Sequence, residues 1–146
     1  MAGAAGVAGM AGVITSLRRA ILTSEELAGS KWHPEKVVEA VAERAGYAQP
    51  DDQTRRRLGD TIHYGYGAMW GVALAMATSG KDVRPIKHGV PMAAGLWGLG
   101  FGAVLPAVGA HPPFWTWKTP REFLLTGSAH ITWGVATATV LKALRA

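Results

Sequence analysis

The residues best suited to chemistry are two histidines set in apolar surroundings. His63 opens the run His63-Tyr64-Gly65-Tyr66-Gly67-Ala68-Met69-Trp70, and His130 lies in Ser128-Ala129-His130-Ile131-Thr132-Trp133. On helices, side chains seven or three residues apart share a face, so His63 lies with Trp70 and His130 with Trp133. Together with Tyr66 these residues make up the candidate polar site. An imidazole there can donate to a carbonyl or hydroxyl of a neighbouring helix, handle a proton, or bind a ligand. Ligation of haem iron by His63 and His130 is a further possibility. Counted from the helix starts, His130 lies deeper by about five residues, roughly 7 Å at 1.5 Å per residue, so a shared iron would require tilt or offset.

No other catalytic signature accompanies them. The chain has no P-loop, no HExxH, no GxSxG and no GxGxxG after a strand. With no cysteine, thiolate metal sites, disulfides and a cysteine nucleophile are excluded. The expectation is a protein that is not an enzyme and carries no metal or resident cofactor, with haem or quinone binding as the alternative.

The elements that would position these residues read as membrane helices. Of 146 residues, 49% are hydrophobic and only 17% charged, where soluble domains carry about 25% charge. Mean hydropathy is +0.12. Nineteen glycines fit the same reading, because glycine is commoner in membrane helices than in soluble ones. A net charge of +5 fits an anionic lipid surface better than nucleic acid, given the apolar runs.

About 20 mostly apolar residues suffice to cross a bilayer. Spans are expected at about 2–22, 59–79, 89–110 and 123–144. The first is weaker, since Arg18 and Arg19 cut it short; with no basic residue before Ala2, a retained helix is preferred over a signal peptide. The expected fold is therefore an all-α membrane protein, a four-transmembrane-helix bundle. The polar stretch 23–58, between helices one and two, should hold a short amphipathic helix started by Pro34 and ended by Gly46. Its apolar stripe would be Val37, Val38, Val41, Ala42 and Ala45, serving as a docking element or a lid on the bundle. In the run 51–57, acids precede bases, the order that suits a helix dipole.

Small residues at intervals of three or four let membrane helices approach closely. The expected rails are Gly3-Gly6-Gly9-Gly12, Gly67-Gly71, Ala94-Gly98-Gly102 and Gly134-Ala138. The loop before the last helix, with Pro112, Pro113, Phe114, Trp115 and Trp117, reads as an aromatic anchor at headgroup depth or a partner-binding surface. Glu122 then sits favourably in the first turn of that helix. Lys81, Arg84, Lys87, Lys142 and Arg145 would share one side, placing both termini in the cytoplasm.

The second half resembles the YagU-like family of small bacterial inner-membrane proteins, a domain family without an assigned activity. The matching pattern is Gly109-x-x-Pro112-Pro113, then Pro120-x-Glu122, then His130-x-x-Trp133, with His63 opening an earlier helix. It covers roughly residues 59–145, while 23–58 does not match. The resemblance implies a helical bundle in the bacterial cytoplasmic membrane and carries over no catalytic residue. The functional expectation is a non-catalytic accessory or structural subunit, in contact with the bilayer and with other membrane subunits or its own copies. A proton-linked or small-solute transporter or channel using His63 and His130 is the alternative.

Overall fold

The structure, a computed structural model, describes residues 16, 33–118 and 120–146. Every regular element among them is helical: α1 (His33–Arg44), α2 (Asp52–Ala77), α3 (Pro85–Leu99), a five-residue π-turn (Gly100–Val104), α4 (Leu105–Val108), a short 3-10 turn (Phe114–Thr116) and α5 (Pro120–Ala143).

Local sequence fixes most of the helix ends. Pro34 and Glu35 occupy the first turn of α1, and Gly46 follows it with φ of 71°. Asp51 caps α2, its carboxylate accepting from the Thr54 amide at 2.8 Å and the Thr54 hydroxyl at 3.0 Å. These bonds hold the Asp51 carboxyl below its usual range. Gly109, at φ of 77°, ends α4: its amide donates to the Pro106 carbonyl and the Ala110 amide to the Leu105 carbonyl, the paired bonds of a Schellman close.

The core is an antiparallel pair formed by α3 and α5. They meet at Gly89 and Gly134, where a Cβ on Gly134 would lie 2.2 Å from the Gly89 carbonyl oxygen. Eight residues along each helix from that contact, the Trp97 indole N–H donates to the Thr126 hydroxyl at 2.9 Å. Ala93, Leu96, Ala129 and Trp133 fill the space between, and Tyr66, Trp70 and Met92 pack around them. Leu74, Val83, Ala138 and Leu141 form a second cluster toward the other end. Thus α2 reaches the pair through large side chains rather than through its backbone.

Arginines tie the remaining ends together. Arg55 meets Glu35 and Glu39 of α1 at 3.4 Å each and Asp52 at 2.8 Å. Arg44 donates to the Ala107 carbonyl, and Arg145 donates to the carbonyls of Thr78 and Ala75 at 2.8 and 2.7 Å. Both place a cation at a helix C-terminus, where unpaired carbonyls concentrate negative charge.

The four-span expectation is corrected here. Among the described residues one helical run, Pro85–Val108, is long and apolar enough to cross a membrane. The segment 59–79 belongs to α2, which begins with Asp52, Arg55, Arg56, Arg57 and Asp60 and continues through glycine, threonine, histidine and tyrosine. In α5, Thr126, Ser128, Thr132 and Thr139 lower the hydropathy while their hydroxyls donate to carbonyls one turn back. The segment 2–22 lies outside the described residues. The placement of both termini on one side assumed four spans and lapses with them.

Two finer expectations also change. The run 51–57 forms the cap and first turns of α2, its acids at the helix N-terminus as the dipole favours, while Arg55 turns to the carboxylates of α1 and Asp52. On α3 the residues that meet α5 are Gly89 and Ala93, whereas of the expected rail Ala94 is exposed, Gly98 faces open space and Gly102 lies under Phe114 and Trp115.

Candidate functional site

His63 and His130 come together at one cavity of about 150 Å³. His33, Pro34 and Val37 of α1 close one side, with Ile62, His63 and Tyr66 of α2 beside them. Leu96 and the π-turn residues Gly100, Phe101 and Val104 form the facing wall, and Thr126 and His130 complete it from α5. Helix α1 is therefore a lid on this cavity. Its stripe is only partly used, since Val38 is buried and Val41 is exposed.

The hydrogen bonds are specific. His130 Nδ1 lies 2.6 Å from the Thr126 carbonyl oxygen on its own helix. A carbonyl only accepts, so Nδ1 carries the proton and Nε2 keeps the lone pair in the neutral ring. The Thr126 hydroxyl donates to the Glu122 carbonyl at 2.7 Å while accepting from Trp97. Thr126 thus joins α3, α5 and the histidine. Tyr66 donates to the Leu96 carbonyl at 3.4 Å, long for an O–H···O bond.

Burial sets the charge state of the site. It lowers His63 to about 4, with the neighbouring His130 pushing the same way. Burial also lowers His130, against the opposing pull of the Thr126 carbonyl, and raises the Tyr66 phenol. Both imidazoles are therefore neutral at neutral pH, and the site can accept or donate hydrogen bonds without charge.

The other candidate residues lie elsewhere. Trp70 packs on Gly95 and stands edge-on to Tyr66, with ring centroids 6.2 Å apart. Trp133 is in the core at 1% exposure. The proline-aromatic loop folds back on the end of α3: Phe114 lies 4.9 Å from Trp97, and Trp117 lies 5.2 Å from Phe101. Trp117 also donates to the Pro112 carbonyl at 3.1 Å, and Pro113 precedes the 3-10 turn. Trp115 is the most exposed of these rings, at 65%, while Phe114 and Trp117 are half-buried. Glu122 stands exposed in the first turn of α5.

No match was found among known families, characterised proteins or solved structures. The site must be interpreted from its own geometry. A cavity of this size holds about one six-membered ring. Among the described residues no group of three or more acidic or histidine side chains is placed to hold a metal ion. Sequence reasoning missed Thr126 and Trp97. The first had a local signal, four residues before His130 on the same helix face; the second pairs across 29 residues and had none.

Proposed function

We propose that this chain is a non-catalytic helical membrane protein that serves as an accessory subunit of a larger membrane assembly. The observation that carries the reading is the run Pro85–Val108: an 18-residue window within it has a mean hydropathy of 1.4, although only 17% of that window is buried. The core helix of a water-soluble domain would be mostly covered. Lipid is the solvent in which such an uncovered apolar surface is inexpensive.

A second surface supports a partner. On α2, Leu58, Ile62, Met69, Val72 and Met76 are exposed, and an added Cβ on Gly65 would meet nothing within 4 Å. Their spacing alternates between four and three residues, the pattern of a seam that receives another helix. Contiguous exposed apolar surface of this kind marks a binding face. Among the described residues the cavity lining contains no carboxylate, lysine or cysteine, which supports binding over bond-breaking chemistry. Its mostly apolar walls give less support to a transport path. The resemblance of residues 59–145 to the YagU-like family lends support to a bacterial cytoplasmic-membrane location.

Single cysteines introduced into this cysteine-free chain test the reading in native membranes. A cysteine at Met69 should crosslink to another membrane protein or a second copy, and one at Ser79 in the turn beyond α2 should not. The chain should also stay with membranes through an alkaline carbonate wash. Release by that wash, or a free monomer with equal labelling at both positions, would overturn the proposal.

A further inference from the structure

The geometry points to the cavity beneath α1 as a binding site for one aromatic ring carrying a hydroxyl group, a phenol in chemical class. Its volume of about 150 Å³ is that at which an apolar protein cavity takes up benzene. Ile62, Leu96, Phe101 and Val104 give it apolar walls, and Phe101 stands at 83° to the His130 ring with centroids 5.9 Å apart. The walls set the size of the occupant, and the polar edge sets its identity.

With the Nδ1 proton committed to the Thr126 carbonyl at 2.6 Å, His130 offers a lone pair at Nε2. That nitrogen accepts from a hydroxyl and repels a carbonyl oxygen. Tyr66 offers the complementary group, a hydroxyl held only at 3.4 Å from its present acceptor. A phenolic oxygen both donates and accepts, so it suits the pair. An oxidised quinone carries carbonyl oxygens alone and would meet the His130 lone pair with its own.

The π-turn is a separate observation in favour of a ligand. Turns of this kind recur inside helices at functional sites, and this one supplies Gly100, Phe101 and Val104 to one wall. Gly100 leaves clearance opposite Tyr66, whose oxygen would lie 3.8 Å from an added Cβ.

Phenol and toluene have nearly the same shape, and only phenol donates a hydrogen bond. Each would be titrated into the full chain in detergent, against its free aqueous concentration, while the histidine ring nitrogens are followed by NMR. Phenol should bind saturably, shift the His130 nitrogens and bind about tenfold more tightly than toluene, the contribution of one net hydrogen bond. His130→Phe should remove that preference, and His130→Gln, which keeps an acceptor, should retain part of it. Val37→Trp, filling the cavity from the lid, should abolish binding of both and does not depend on the histidine variants folding. Para-octylphenol separates two sources of such a ring: tighter binding than phenol assigns a membrane-borne molecule, and no gain a water-borne one. Equal binding of phenol and toluene, or phenol binding that survives Val37→Trp, would overturn the proposal.

Discussion

The contact between Gly89 and Gly134 makes opposite predictions for the same substitution at two points on α5. A Cβ on Gly134 would stand 2.2 Å from the Gly89 carbonyl oxygen and 2.7 Å from the Ala93 Cβ, whereas one on Gly127 would meet nothing within 4 Å. Alanine is better than glycine in a helix interior by about 1 kcal/mol, and that gain applies at both positions. At Gly127 it stands alone, so Gly127→Ala should stabilise by about 0.5–1 kcal/mol. At Gly134 the obstructing atoms belong to the backbone and Cβ of a packed helix and cannot swing aside. The helices must part by about an ångström, and a gap of that order forfeits a quarter to a half of each contact's dispersion energy along the seam. Overpacking of this kind costs about 1–3 kcal/mol. The helical gain cancels between the two variants, so Gly134→Ala should be less stable than Gly127→Ala by the overpacking cost, about 1–3 kcal/mol. Equilibrium unfolding followed by helical circular dichroism in mild detergent measures both. If Gly134→Ala proves as stable as Gly127→Ala, the close approach of α3 and α5 described above is wrong.

Other perturbations test the polar ties. Thr126→Val deprives the Trp97 indole of its acceptor and should cost about 1–2 kcal/mol with a shift in tryptophan emission, while Thr126→Ser should retain most of the wild-type stability. Thr137 is fully buried and its hydroxyl has no partner among the described residues, so Thr137→Val should be neutral or stabilise by about 1 kcal/mol in the same assay. His63 falls from 6.5 to about 4 on folding, so between those values the unfolded chain binds the extra proton. Stability should therefore drop as pH is lowered from 6.5 toward 4, by on the order of 3 kcal/mol. Unfolding midpoints across that window should show this dependence reduced in His63→Phe.

Helix ends were legible in the sequence because their determinants are local. Pro34 and Gly46 delimit α1 and Pro120 begins α5, each through backbone geometry that a single residue imposes, whereas the stop at Gly109 fell inside an expected span. The glycine rail of α5 was legible too, but its partner was not. Residues 89 and 93, like 94, 98 and 102, repeat at intervals of four, and only the register against α5 selects between them. The spans failed because absence of charge is a weaker criterion than hydropathy: hydroxyls that bond to their own helix satisfy themselves without making it apolar. From the sequence, His130 is expected to meet a carbonyl or hydroxyl on a neighbouring helix, whereas the ring turns to the Thr126 carbonyl one turn earlier on its own helix. The pairing of His63 with His130 at one cavity depends on α1 and the π-turn, neither of which is set by residues near the histidines.

The π-turn also determines how the run Pro85–Val108 is phased. An α-helix advances about 100° per residue, and a turn closed from residue i to i+5 accommodates one residue more than an α-turn. Everything beyond Val104 is therefore rotated by about 100° from where a regular helix would place it. The stripe that begins Gly89, Ala93, Leu96 would otherwise continue to Ala107 and keep facing α5. Instead Leu105 faces the cavity, and the Ala107 carbonyl meets Arg44. One rod thus carries two azimuths, with the first set by α5 and the second by α1. Deleting a single residue from 100–104 would merge them, turning the end that α1 holds like a screw while leaving the axis straight.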